Sequence, residues 1–467
     1  MIQANCRHPE RRGGALASRK KAFAAALLLT LVCSAAHDPA SALPAFARQT
    51  GQPCASCHTA LPQLTPFGRR FKLGGYTMQG GDQFRELPQL SVLLQPTFTH
   101  NATPLSAIPS PNGGFTNTNN WLDLPQQASL FYAGRVYGNL GAFIQLSYDN
   151  DYGRVFHWDN ADVRYADTIK VGAFDVTYGL DTNNSPTVQD PWNTTPVWSF
   201  PFISSPFQAA EAPAPTMIEN LGQTVLGAGG YVFINDMLYA EVQGYGSLTP
   251  RVQTDLGVSP PSLTFTINGI APYYRLALEP VWGDFSWEIG TYGMAANILP
   301  NRVFGFGTNK IFDAGFDSQF QWIGDMHNVT LRANYIFERQ ILDSTYAQGY
   351  SANPVDYLRN LRISAEYVYD HTYVINVAWF QLTGTPDAFV YSTYQNLVPN
   401  TQGWVVDVSY LPFSHGSPGP WPFFNMRIGL AYTNFSQLNG SNNYSTAYGY
   451  PNARDSNSLV AYSYIVF

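Results

Sequence analysis

The residues best equipped for chemistry lie together, in Gly51-Gln52-Pro53-Cys54-Ala55-Ser56-Cys57-His58. Two thiols three positions apart share one face of a helical turn, so both can bond to vinyl groups of a single porphyrin. An imidazole directly after the second thiol then points at the iron as its proximal ligand. This is the Cys-x-x-Cys-His arrangement of c-type haem attachment. Three other uses of the pair compete. A thioredoxin-like redox centre needs a βαβ context, a structural zinc needs further Cys or His nearby, and a disulfide between the two cysteines is the plainest option.

The remaining cysteines, Cys6 and Cys33, fall in a segment that reads as removable. Arg11, Arg12, Arg19, Lys20 and Lys21 precede an apolar run from Ala22 to Val32, too short to span a bilayer, and Ala40-Ser41-Ala42 offers a small-residue cleavage site. Residues 1–42 are therefore expected to be a secretory signal peptide, with cleavage after Ala36 as the alternative. The bulk of Val32 before Cys33 argues against lipoprotein processing. Cys54 and Cys57 would then be the only cysteines of the exported chain, which excludes a disulfide-stapled fold. The expected cofactor is one covalent haem c, on thioethers to Cys54 and Cys57, with His58 as an axial iron ligand.

For the sixth ligand, Met78 lies twenty residues beyond His58 in Gly75-Tyr76-Thr77-Met78, and a thioether there would raise the reduction potential. Alternatively Met78 only packs, or the position is open or filled by His100. Between motif and Met78, Thr65 can cap a short helix that begins at Pro66 and ends at Gly74 or Gly75. It carries Arg69, Arg70 and Lys72, the densest positive cluster of the chain. These three can meet haem propionates, acidic groups on a surrounding wall, or simply water.

What must position this segment follows from the rest of the chain. Charged residues make up 12% of the sequence and aromatic residues 15%, odd proportions for a soluble enzyme. Without residues 1–42 the chain keeps 19 basic against 30 acidic side chains, a net charge of −11, which makes nucleic acid an unsuitable partner. No later stretch reaches 18 consecutive apolar residues, so transmembrane helices are not the explanation. A closed barrel is one, with apolar side chains facing lipid and a lumen of Tyr, Ser, Gln and Asn rather than charge. From Leu90 onward the sequence shows about 16 segments of roughly ten residues with period-two alternation. Short turns such as Gly138-Asn139, Ala166-Asp167-Thr168, Asn235-Asp236 and Asp370-His371-Thr372 alternate with long polar loops such as 100–127, 181–223 and 246–272. The expected fold is all-β: a transmembrane antiparallel barrel of about 16 strands over 90–467, preceded by a small helical haem plug over 43–89, in the bacterial outer membrane. Terminal Phe467 resembles the signal read by outer-membrane insertion machinery, although Ser463 and Ala461 break its aromatic phase. A soluble propeller would need a blade repeat, and none is present.

These features resemble the fused cytochrome–porin proteins of bacterial outer membranes, whose best-known members are surface iron oxidases. The likeness is carried by Phe46-Ala47-Arg48-Gln49-Thr50-Gly51, by the Cys54–His58 motif, and by Pro66-Phe67-Gly68-Arg69 with Phe71-Lys72-Leu73-Gly74-Gly75-Tyr76, over about 35 residues. The resemblance implies that extracellular Fe(II) gives an electron to the haem, which passes it to a periplasmic cytochrome c or other soluble carrier. About 47 residues, Leu43 to Gln89, are too few to bury a macrocycle, so the barrel must complete the pocket. Asp149, Asp151, Asp181 and Asp190, in or next to outer loops, are candidates to concentrate a divalent cation. Two alternatives stand beside iron oxidation: a diffusion porin with a structural or sensory haem, and an electron conduit for another donor. Nothing in the sequence resembles a paired-carboxylate, Ser-His-Asp or phosphate-loop site.

Overall fold

The computed structural model describes residues 43–81, 87–105, 118–149, 156–203, 205, 207–208, 216–258, 266–415, 420–443 and 452–467. Three short helices come first: α1 (Pro44–Thr50), α2 (Cys54–Cys57) and α3 (Pro66–Leu73). Sixteen long strands follow. They are β1 (Leu90–Leu105), β2 (Thr118–Tyr137), β3 (Leu140–Asp149), β4 (Phe156–Val171), β5 (Phe174–Asn183), β6 (Val225–Ile234), β7 (Leu238–Ser247) and β8 (Ala271–Leu278). The second half comprises β9 (Phe285–Leu299), β10 (Asn309–Ile323), β11 (His327–Ile341), β12 (Val355–Tyr369), β13 (Tyr373–Gly384), β14 (Thr401–Tyr410), β15 (Asn425–Leu438) and β16 (Ser458–Val466).

Each strand pairs antiparallel with its chain neighbour, and the ring closes where β1 meets β16, with Leu93 opposite Val466 and Asn101 opposite Ser458. Closure leaves no sheet edge unpaired, which is what a strand-built structure needs in hydrocarbon. The period-two alternation now has a direction. In β14, Trp404, Val406 and Val408 face out while Val405, Asp407 and Ser409 are buried inside. In β8, Tyr274, Leu276 and Leu278 face out, and Tyr273, Arg275 and Ala277 face in. The exterior is an apolar band and the chain is a multi-pass outer-membrane β-barrel.

Two expectations need correction. The first concerns the turn at Ala166-Asp167-Thr168. Instead β4 runs on to Val171, pairing Ala166 with Gly179 and Val171 with Phe174, and the reversal occurs at Gly172. Gly172 has φ +62°, a left-handed conformation that a residue without Cβ adopts at little cost. The second concerns the lumen, which is not free of charge. It holds buried charged sets: Arg164 with Asp162 at 2.8 Å, Arg427 with Asp407 at 2.9 Å, and Arg275 among Asp317, Asp190 and Glu288 at 2.7, 3.3 and 3.3 Å.

The long connection between β5 and β6 turns inward. Asn184, Thr187, Val188, Asp190, Trp192 and Thr195 are fully buried, and farther along Phe200 packs on Ala378 and Val405, and Ile203 on Ala431, Val460 and Tyr462. The loop therefore crosses the lumen from β5 to the β13–β16 wall. The plug lies at the end with the short turns: Gly75 packs against the Asn139 carbonyl at the β2–β3 turn, and Arg70 lies 3.4 Å from Asp236 at the β6–β7 turn. In barrels of this kind that end is periplasmic.

The outward position of Val406, near the middle of β14, generates a prediction. Val406→Arg places a charge against hydrocarbon and should cost about 2–4 kcal/mol. Urea titration of protein folded into vesicles, read by the gel mobility of folded and unfolded forms, should show a clearly lower midpoint; an unchanged midpoint would place Val406 away from lipid.

Candidate functional site

α1 starts at Pro44, whose fixed φ suits a first helical position, and stops at Gly51, where φ is +69° and the amide donates to the Ala47 carbonyl. That reversal sends the chain through Pro53 into α2, a single turn holding both thiols, with Cys54 buried and Cys57 partly exposed. His58 then leaves the helix in extended geometry while its amide donates to the Cys54 carbonyl at 2.7 Å. The Thr65 hydroxyl accepts from the Gly68 amide, as an N-cap should, and also donates to the Ser56 carbonyl at 2.7 Å, which fastens the start of α3 to α2. Gly68 is the closest approach: a Cβ there would sit 2.2 Å from the Cys57 carbonyl oxygen.

The His58 ring is held from behind. Its Nδ1 lies 3.3 Å from the Pro62 carbonyl and 3.2 Å from that of Gln63, both acceptors, so Nδ1 carries the proton and Nε2 keeps its lone pair. Burial pushes the imidazole pKa down to about 4, against the opposing pull of those two carbonyls, so the ring is neutral above that pH. Asn193, from the inward loop, donates its Nδ2 to the same Pro62 carbonyl at 2.9 Å.

His58 faces a cavity of about 390 Å³, within the range of small-molecule sites. The plug contributes Phe46, Cys57, His58, Leu64, Phe71 and Tyr76; the barrel wall contributes Leu93, Gln127, Phe131 and Phe143; the inward loop contributes Asn193, Trp198 and Phe202. Two observations favour a covalent haem, with Cys57 at the cavity and Cys54 buried on the same helical turn without lining it. The proximal-type imidazole is oriented by its outer nitrogen, as metal-ligating histidines are. The lining combines aromatic and aliphatic side chains with the amides of Gln52, Gln95, Gln127, Gln145 and Asn193, and holds one cation, Lys72. Completion of the pocket by the wall agrees with the shortness of the plug.

The other expected residues separate. Lys72 lines the cavity, with Nζ donating to the Val188 and Asp190 carbonyls at 2.8 and 2.7 Å and lying 5.0 Å from the centre of the Trp198 ring. Burial and the nearby Arg164 lower its pKa to about 7. Arg69 is committed to the wall instead, paired with Glu279 and bonded to Gln321 and Ser286. Arg70 is half-exposed and faces Asp236. Met78 is 39% exposed and does not line the cavity, and His100 is on an exposed face of β1 bonded to Asn120.

The acidic candidates are corrected. Asp149 lies buried at the end of β3, 3.5 Å from His157; Asp181 is buried in β5 with Asn183 and Gln243; Asp190 is buried beside Arg275. Buried carboxylates committed to such partners are unavailable as an outer cation trap, and Asp151 lies outside the described residues. Asn193, Trp198 and the wall glutamines escaped sequence reasoning, since only the tertiary path of the inward loop brings them to the motif.

No family model and no curated protein matches the chain. Among solved structures it is similar to the outer-membrane channel DcaP of Acinetobacter baumannii, at 9% identity over 81% of this chain and 96% of that one, with a TM-score of 0.42. It is also similar to OmpT of Vibrio cholerae, at 8% identity over 81% and 97% with a TM-score of 0.37, and to OpdK of Pseudomonas aeruginosa, at 10% over 81% and 97% with a TM-score of 0.37. The barrel assignment rests on the strand pairing itself.

The contact at Gly68 is directly testable. Gly68→Ala overpacks α2 against α3 and should cost about 1–3 kcal/mol of local stability. In the folded, membrane-inserted barrel, limited proteolysis within 43–81 should become several-fold faster than in the wild type; an unaltered rate would show that the approach is not binding.

Proposed function

We propose that this barrel is an outer-membrane electron-transfer protein, carrying one haem c on Cys54 and Cys57 with His58 as proximal ligand. It takes electrons from extracellular Fe(II) and delivers them to a periplasmic carrier. The observation that carries the reading is the His58 imidazole, oriented by the Pro62 and Gln63 carbonyls and facing an aromatic cavity beside Cys57. Iron as donor comes from the resemblance to the fused cytochrome–porins.

The chain's own residues divide the work. Cys54 and Cys57 would tether the porphyrin, and His58 Nε2 would hold the iron, which supplies a one-electron couple when bound. Phe46, Phe71, Phe131 and Phe143 line the cavity and exclude water from it, and a dry cavity would favour the less charged state of a bound haem. Lys72 is the positive group closest to hand for a propionate.

The site's position suits a passage across the bilayer. The cavity lies in the periplasmic half, within reach of a soluble protein docking at the inner mouth. On the other side a polar wall continues outward: Gln127 lines the cavity, donates to Ser147 at 3.0 Å and Asp159 at 3.3 Å, and pairs in register with Asp149 at the outer end of β3.

The alternative reading is a diffusion channel. Among the described residues the plug and the inward loop enter the lumen and are tied to the wall by the Arg69–Glu279 and Asp190–Arg275 pairs, so solute flux is the property that separates the two readings.

Purified holoprotein mixed anaerobically with ferrous iron in a stopped flow should show reduction of the haem absorbance, first order in iron, across acidic and neutral pH. Absence of reduction would remove iron as the donor. Liposomes containing the protein should show no sugar-driven swelling in either redox state, whereas swelling would favour the channel.

A further inference from the structure

Two carboxylates in the outer half of the lumen stand side by side without a counter-ion. Where β10 pairs with β11, Asp313 lies directly opposite Glu338, and both side chains are buried inside the barrel. Like charges directly opposite on neighbouring strands repel, and burial removes the water that would screen them. Among the described residues the nearby cations are taken elsewhere, Lys310 by Asp343 and Arg362 by Glu219, and none is ion-paired with Asp313 or Glu338. The two carboxyl groups lie within hydrogen-bonding reach of each other, while Asp313 Oδ1 is enclosed and meets no donor from any other residue. One proton held between them removes the repulsion and supplies the missing donor.

The same pair is where the inward loop returns to the wall. A single turn of helix, α4 (Met217–Asn220), brings the Met217 amide to Glu338 Oε2 and the Ile218 amide to Asp313 Oδ2, the latter at 2.9 Å. Met217, Ile218 and Leu221 are buried in one cluster with Tyr292, Met294 and Ile336. Other groups face the pair. Gln340 donates to Glu338 Oε1 at 2.5 Å. Glu219 of α4 is also close, but it is committed to Arg362 at 2.6 Å and accepts from the Thr216 amide and hydroxyl at 2.9 and 3.0 Å. The Tyr391 phenol, from the connection between β13 and β14, faces Glu338.

We infer that Asp313 and Glu338 form a proton-operated latch, which holds one shared proton while α4 is docked on the wall and releases α4 when that proton is lost. The inference is independent of the haem reading. The proton passes to water at the outer mouth, and only an O–H bond is broken. Released and solvated, the two carboxyls ionise separately, so the docked state binds more protons than the released one. Docking is therefore favoured on the acid side and lost as pH rises. The backbone amides of Met217 and Ile218 report the latch directly, because the two carboxylates are their acceptors.

The experiment follows amide hydrogen exchange in the full-length barrel folded into vesicles, with insertion confirmed by gel mobility. Exchange of peptides containing Met217 and Ile218 is measured from about pH 5 to about pH 9 and divided by the intrinsic rate at each pH. In the wild type their protection should fall by about tenfold or more across that range, while amides within β10 and β11 stay protected. Glu338→Gln carries a permanent donor in place of the shared proton and keeps an acceptor for Met217, so its protection should stay level with pH. Asp313→Asn makes the same exchange from the other side and should behave alike, which keeps the test intact if one variant fails to insert. Wild-type protection that is constant with pH overturns the latch. So does an equal loss of protection in the inserted variants.

Discussion

The interior depends on charge neutralisation inside a cylinder of low dielectric. Arg69 reaches from α3 to Glu279 on the wall, and Arg275 stands between Asp190 of the inward loop and Asp317 and Glu288 of the wall. Arg427 is shared between Asp407 and the Leu61 carbonyl of the plug. None of these arginines has appreciable exposure. Buried ions of this kind are costly to leave unpaired, so each partner fixes the other even where the pair adds little net stability. The result is that plug, loop and wall have one mutual arrangement, and the cavity between them has a defined shape.

That arrangement lets so short a plug share one cavity with the wall and the inward loop. α1 to α3 provide one side of the cavity, β1 to β3 a second, and the inward loop a third. The His58 ring is linked to the loop as well as to the plug, since the Pro62 carbonyl behind it also accepts from Asn193. A shift of the loop would therefore be transmitted to the imidazole by a single shared acceptor.

Much of the architecture was legible in the residues. Alternation marked all sixteen strands, and turns such as Gly138-Asn139 and Asn235-Asp236 fell where expected, because a lipid-facing strand cannot lose its apolar phase without penalty. Asp167 and Thr168 misled because turn-favouring residues at an exposed strand end cost little, while Gly172 alone supplies the left-handed backbone. Lumen charge was illegible for a related reason: period two says which residues face inward but not which will find partners across the barrel. The inward course of the β5–β6 connection was hidden because a polar loop has the same composition whether it meets water or a polar lumen. For the site, spacing put Cys54, Cys57 and His58 together, and the structure has them in and directly after one helical turn. The fate of Arg69 and Asp190 depended on distant partners, Glu279 and Arg275, and that of Met78 on simple exposure.

The central claim is that this outer-membrane cylinder carries one iron porphyrin bonded to its plug. Denaturing electrophoresis of the exported polypeptide, from cells competent in cytochrome c maturation and stained for haem peroxidase, tests it most directly. The account predicts a stained band at the mass of the mature chain that vanishes when Cys54 and Cys57 are both replaced by Ala. A wild-type band that takes protein stain but no haem stain would contradict it.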